Sequence, residues 1–439
     1  MKTTGKQGID RRKFLKTASV ASAALSSPFF TKNLFAKQDI ELIHWSWLAA
    51  SDGEVWGKVI DAFNAAHKGK GVQIKLQLIP EEQYTTKLLA AAATGEAPDF
   101  GWGTAGKGAQ LARDGVTVPL NKLIANAGVD LADFSDISLK AARYPKYDNQ
   151  LFMVPIDLMS LQPEINLDHV KEAGLDPNSP PMNNDELLRW AKAMTKVTNG
   201  KVTRSGIMMT GSGVQPTVTW GIVAEQMGFK RASDDLKTAC VNPEQGIKAM
   251  EWMLALFDQQ KVSTRDVTDR YKAFGTGQGS IFWTGPWTLN GYVQQGLNFR
   301  TYRMPKIGSS LKTYFEMGGM ELYTQKDESR YEVTMQAVKW LSDNSLMWTT
   351  QGRGASPRKS IVARAKSAGI PWDKRGAFVE GMDFATILEV PVVAGPDFTI
   401  YSGGNFLAKT LENVWVGKKK PADAMAELQH FWQKGLNQG

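Results

Sequence analysis

The chain has 439 residues, 42% hydrophobic and 22% charged, enough for two packed cores of about 150–200 residues each. Its formal charge of +8 sits at the N-terminus: residues 1–36 carry seven Lys or Arg and one acid, while the other 45 basic and 43 acidic side chains nearly cancel. A near-neutral body excludes the positive field that nucleic acid needs, and a single cysteine, Cys240, excludes an internal disulfide and Cys-rich metal sites.

The N-terminal segment reads as an address rather than as structure. Asp10-Arg11-Arg12-Lys13-Phe14-Leu15-Lys16 precedes a mild apolar run over 17–30, and Asn33-Leu34-Phe35-Ala36 ends it with a small residue. Basic, apolar and small-residue parts in that order make an export signal. The paired arginines before Phe-Leu-Lys resemble a twin-arginine signal, read by a receptor. Cleavage near Ala36 would release a periplasmic chain starting near Lys37. The apolar run is too short to span a bilayer, and no later stretch reaches about 18 apolar residues. The mature protein is therefore expected not to be membrane-inserted.

Beyond the signal, the pattern alternates strand and helix. Residues 41–47 are β-compatible, and Ser51-Asp52-Gly53-Glu54 forms a capping-box sequence that opens a helix. That helix carries Val55, Trp56, Val59, Ile60 and Phe63 at three- and four-residue spacing and stops by Gly69 and Gly71. Val72, Ile74, Leu76 and Leu78 alternate with polar residues as in a strand. A helix over 84–93, stopped by Gly95 and Pro98, and a short strand over 99–102 follow. Further on, the pattern gives a strand over 151–156, helices over 184–195 and 247–257, and a strand over 280–284. This order predicts an α/β fold with mostly parallel sheets flanked by helices. Ligands in such folds gather where strand carboxyl ends meet loops, here 47–53 and 102–108.

Four ordered segments then resemble the family 1 extracellular solute-binding proteins of carbohydrate ABC transporters, the maltose-binding branch included. They are Ile40-Glu41-Leu42-Ile43-His44-Trp45-Ser46, Gly95-Glu96-Ala97-Pro98-Asp99-Phe100, the block from Phe274 through Gly277, Gly279-Ser280-Ile281-Phe282 and Gly285-Pro286-Trp287, and Met304-Pro305-Lys306 leading to Gly318-Gly319 and a helix over 330–341. The tail Gly417-Lys418-Lys419-Lys420-Pro421-Ala422-Asp423-Ala424-Met425 is also similar. The resemblance implies a two-lobed periplasmic binding protein fold with hinge crossings near 155–160, 305–313 and 353–360. It implies a first lobe of 37–155 with 312–355, and a second of 156–311 with 356–439. It also implies a monomer that delivers a sugar-like solute from the interlobe cleft to ABC transporter membrane subunits, with no cofactor.

A sugar ring has an apolar face that aromatic rings match and hydroxyls that charged and amide groups match. The candidate stackers are Trp47, Trp102, Trp220, Trp283 and above all Trp287; Trp56, Trp190, Trp252, Trp340 and Trp432 lie on helical stripes and read as core. For hydroxyls the candidates are Asp52, Asp157, Glu316 and Arg353, with Asn405 and Glu321 behind them, while Gly318 and Gly319 would let backbone approach the ligand. The rival reading is a periplasmic carbohydrate-active enzyme. The scattered histidines His44, His67, His169 and His430 make no metal motif, Ser212 lacks nucleophile-elbow spacing, and Gly101-x-Gly103-x-x-Gly106 lacks the acidic residue of a dinucleotide site. A solute receptor that feeds a membrane sensor is a further reading.

Overall fold

Alternating Val72, Ile74 and Leu76 do form a strand, and each neighbour in the chain finds its partner in the computed structural model, which describes residues 40–144, 147–212, 214–368, 371–386 and 406–438. The export segment and Asn405 lie outside the described residues. Strands β1 (Ile40–Ser46), β2 (Val72–Leu78), β3 (Phe100–Thr104) and β4 (Val154–Ser160) build the first sheet. The chain then enters a second sheet of β5 (Gln162–Asn166), β6 (Lys196–Thr198), β7 (Lys201–Ile207), β8 (Gly279–Thr284) and β9 (Phe299–Thr301). It returns to the first through β10 (Thr313–Leu322) and β11 (Ala385–Thr386).

The first sheet runs β2-β1-β3-β10, with β4 and β11 also paired to β10. β1 is parallel to β2 and β3, because the helices Ala50–Ala66 and Glu81–Thr94 carry the chain back between strands. The second sheet, ordered β9-β5-β8-β7-β6, corrects the expectation of mostly parallel pairing. Only β7 and β8 run parallel; β5 enters antiparallel to β8 and β9, and the Asn199-Gly200 turn folds β6 back on β7. A second correction concerns the lobe boundary at the first crossing. β4 stays paired with β10 as far as Ser160, so the chain leaves the first sheet between Ser160 and Gln162, at the far end of the expected 155–160 crossing and past the expected lobe boundary at 155–156.

Two cores follow the two sheets. One gathers Leu42, Trp56, Phe100, Trp102, Ile156 and Leu158 with Met317, Met320 and Trp348. The other gathers Leu161, Ile165, Trp190, Trp220, Met250 and Ile281 with Leu407, Leu411 and Leu428 from the C-terminal helices Phe406–Trp415 and Pro421–Gln438. Membership switches between Leu158 and Leu161, and again between Tyr314 and Phe315. Two lobes therefore meet along β4–β5 and the start of β10.

The Gly101 and Gly103 pair is a packing device. A methyl group on Gly103 would fall 2.2 Å from the Glu321 carboxyl carbon, and one on Gly101 would fall 2.3 Å from the Tyr84 hydroxyl. Both glycines make room for side chains that cross one face of the first sheet. Among the described residues, no helix is long and apolar enough to cross a membrane.

Candidate functional site

The helix Ala50–Ala66 starts one residue before Ser51, with Ala49 as its N-cap and no side-chain cap. The expected capping box does not form, and the carboxylate of Asp52 stands in the first turn. It lies 3.8 Å from Nε of Arg353. On the other side Asp157, fully buried on β4, takes Nε of Arg353 at 3.4 Å. Asp157 also accepts the backbone N–H of Gly318 at 2.9 Å and Nε1–H of Trp348 at 3.3 Å. Glu316 adds its negative charge to the field on Arg353. Beneath the guanidinium, 5.9 Å away, lies the ring of Trp102, packed edge-on against Trp56 and tilted against Trp348.

Three acids surround Arg353, and burial sets the direction in which Asp52 and Asp157 shift. Burial pushes Asp52 up to about 6, Arg353 pulls it down, and the charge of Asp157 pushes it up again. Burial also raises Asp157, against the pull of Arg353 and the Gly318 and Trp348 hydrogen bonds. For Arg353, burial works downward, but the charges of Asp157, Asp52 and Glu316 outweigh it and hold the guanidinium firmly protonated.

This cluster borders a solvent-open pocket whose lining includes Pro286 of the second lobe, Thr349 and Arg353 of the return crossing, and Trp372 and Arg375 of the helix Trp372–Glu380. Trp372 is 40% exposed, which is high for an indole. Arg375 is buried and bridges the lobes: it donates to the Thr349 carbonyl on one side and to Oδ1 of Asn290 on the other, both at 3.5 Å. Nδ2 of Asn290 in turn donates to the Gln351 carbonyl at 2.8 Å.

The structure thus brings Asp52, Trp102, Asp157, Glu316 and Arg353 together, and separates the rest. Trp220 is a core residue, 0% exposed, with Nε1 on the Gly246 carbonyl and Phe229 against its ring. Its helix, Val214–Met227, is buried on nearly every face, polar residues such as Thr217, Thr219 and Gln226 included, so the ring has no route to the cleft. Trp283, on the central strand β8, is stacked on Trp252. Trp287 folds back over Gly285 and donates Nε1–H to the Tyr271 hydroxyl, so that Pro286, not the indole, lines the cavity. Trp47 packs edge-on against Tyr84 under Nζ of Lys107 and does not line the pocket. Glu321 lies on the opposite face of the first sheet from Trp102, as its register beside Gly101 requires. Trp348, Trp372 and Arg375 were not anticipated. Trp372 had one usable signal: it opens a helix without an apolar stripe to bury it.

Gly318 and Gly319 also take a different role from the one expected. A methyl group on Gly318 would fall 2.3 Å from Oδ1 of Asp157 and 2.8 Å from the Trp102 ring, and one on Gly319 would fall 2.4 Å from the Val154 carbonyl. They let β10 close on β4 at a register shift, not backbone on ligand. Gly318→Ala is expected to cost about 1–3 kcal/mol by overpacking, read as a lower urea midpoint at unchanged slope. A variant as stable as the parent would show that Asp157 can yield.

Residues 58–371 match the model of the bacterial extracellular solute-binding protein family. The chain belongs to this family. A probable amino-acid ABC transporter periplasmic-binding protein of Sinorhizobium fredii is 32% identical over 126 residues, which are 27% of this chain and 28% of that protein's length. Among solved structures, a Listeria monocytogenes ABC substrate-binding protein in complex with cycloalternan superposes with a TM-score of 0.76 at 18% identity, over 90% of this chain and 99% of that one. A Mycobacterium tuberculosis protein in complex with glycerophosphocholine gives 0.77 at 16% identity, over 91% and 98%. The maltose/maltodextrin-binding domain of Bdellovibrio bacteriovorus bound to maltotriose gives 0.70 at 18% identity, over 91% and 100%. Two lobes joined by hinge segments are the fold that this solute-binding protein shares with them.

Proposed function

We propose that this protein captures a sugar or sugar-like solute between its lobes and hands it to the membrane subunits of an ABC importer, after twin-arginine export to the periplasm. One observation carries the reading: a half-exposed indole, Trp372, shares a solvent-open pocket between the lobes with two guanidinium groups. The indole suits the apolar face of a ring, and the Arg353 and Asp52 pair offers a donor and an acceptor to adjacent hydroxyls. The carbohydrates held by several structural neighbours support the same class. Solute that touches both lobes only when they are closed shifts the population toward closure, and the closed outer surface is what a transporter would read. The protein acts by stoichiometric binding, as one copy, without metal, cofactor or turnover.

The test is a thermal-shift screen of neutral sugars, sugar acids, polyols, oligosaccharides and, given the Sinorhizobium relative, amino acids. A ligand that binds only the folded state raises the melting temperature. Carbohydrates should shift it without being consumed. A response to amino acids alone, or cleavage of the sugar, would overturn the reading. Trp372→Ala is expected to weaken the best carbohydrate roughly tenfold, about 1.4 kcal/mol, by calorimetric titration. Unchanged affinity would remove Trp372 from the site.

A further inference from the structure

The cavity's charged lining is one-signed. Among the described residues it consists of Arg353, Arg375 and, exposed near the end of the helix Lys359–Ser367, Lys366, whose Nζ lies 5.5 Å from the centre of the Trp372 ring, with no Asp or Glu. Arg353 is accounted for, since Asp52, Asp157 and Glu316 all act on it. Arg375 is not. It is 8% exposed, and its two hydrogen bonds, to Thr349 and Asn290, are both at the 3.5 Å limit. Of the described acids only Asp52 offsets its charge, and burial still pulls its pKa below the ordinary value. Its neighbour Lys374 is turned away, with Nζ on the Phe299 carbonyl at 2.7 Å. A guanidinium carries five donors in a flat fork matched to two oxygens of an anion. Burying one with neutral, stretched partners is costly unless an anion completes it. Trp372 and Arg375 are three apart in one helix and line the same cavity, so the stacking ring and the fork lie side by side.

We infer that the solute carries an anionic group, a carboxylate or a phosphate, which Arg375 receives while the solute's ring or chain lies on Trp372. The inference rests on the solute-capture reading above and narrows it. A neutral polyol could also accept from Arg375, but only an anion both fills the fork and offsets the buried charge, through bonds about twice as strong.

The experiment is calorimetric titration with matched sets: glucose, glucuronate and glucose 6-phosphate; galactose and galacturonate; glycerol and glycerol 3-phosphate. In the parent protein, at least one anionic member should bind ten times more tightly than its neutral counterpart, and the carboxylate and phosphate arms identify which group is used. Arg375→Gln should abolish that preference, with a loss of tenfold or more for the anion and less than threefold for the neutral compound. Arg375→Lys, which keeps the charge but not the fork, should restore part of it. Neutral sugars that bind as well as their anionic partners would overturn this inference and leave the capture reading standing. An anion preference that survives Arg375→Gln would overturn the assignment to Arg375. Binding by no member of any set would overturn both. If Arg375→Gln does not fold, the parent's own anion-to-neutral ratio still decides.

Discussion

Asp157→Ala is expected to lose ~3–5 kcal/mol of stability, the range for deleting one partner of a buried ion pair. The side chain is fully buried, and three donors converge on it: the Gly318 amide, the Trp348 indole and Nε of Arg353. Alanine strands the Gly318 amide and the Trp348 indole in a water-poor junction and leaves Arg353 only the more distant Asp52 and the charge of Glu316, and each buried unpaired group carries its own desolvation cost. Two glycines fix the socket, since a methyl on Gly354 would fall 2.4 Å from Cβ of Asp157, as one on Gly318 would fall 2.3 Å from Oδ1. The protein cannot collapse onto the gap without moving β4 against β10. Asp157→Asn should be far milder, less than half the alanine effect. Its amide oxygen still accepts from Gly318, and burial already raises the carboxyl's pKa, which means that the ionised form is disfavoured there. Urea unfolding of both variants, compared at constant slope, is the measurement. Equal losses for alanine and asparagine would mean that charge, not hydrogen bonding, holds the junction. An alanine loss under about 1 kcal/mol would mean that Asp157 does not hold it at all.

What the sequence disclosed was local. Val55, Trp56, Val59, Ile60 and Phe63 share a helical face whatever surrounds them, and alternation gave β2 directly. Asp157 and Arg353 could be nominated because each falls beside a lobe crossing. The direction of β5 was not legible, since antiparallel entry depends on β8, more than a hundred residues later. Trp287 shows the limit of motif reading: Gly285-Pro286-Trp287 brings the chain to the cavity, but the unbranched Gly285 lets the indole lie back on the turn. Trp372 and Arg375 depend on where their helix docks. That docking is set by Phe378 against Phe282 and Phe299, contacts with no trace in the local pattern.

Asp52→Asn is expected to make the protein more stable at pH 7, and the sign follows from the titration. Burial, with the charge of Asp157 beside it, lifts the folded carboxyl to about 6, from the ordinary 3.8. Between those values the folded form keeps its proton while the unfolded chain has released one. Folding there takes up a proton, so the stability conferred by the neutral form is complete below the lower value and is lost as pH rises through the upper one. The full difference is on the order of 3 kcal/mol. Asparagine stays neutral and has no such slope. The two proteins should match near pH 4 and diverge up to pH 7, with the variant ahead by ~1–3 kcal/mol once the weakened Arg353 contact is discounted. Asp157 and Glu316 still attend Arg353 in the variant, so its charge is not stranded. Urea midpoints at pH 4, 5, 6 and 7 test this; parallel profiles, or a less stable variant at pH 7, would refute it. A chain that retains an ionised Asp52 at such a cost must use it. Under the capture reading its use is to accept hydroxyl hydrogen bonds from the solute, so the same variant should bind its carbohydrate tenfold or more weakly. Stability gained with affinity lost would tie the buried charge to the solute, as at sites where function holds a protein below its stability optimum. Stability gained with affinity intact would leave Asp52 as a counter-charge for Arg353 and Arg375 and nothing more.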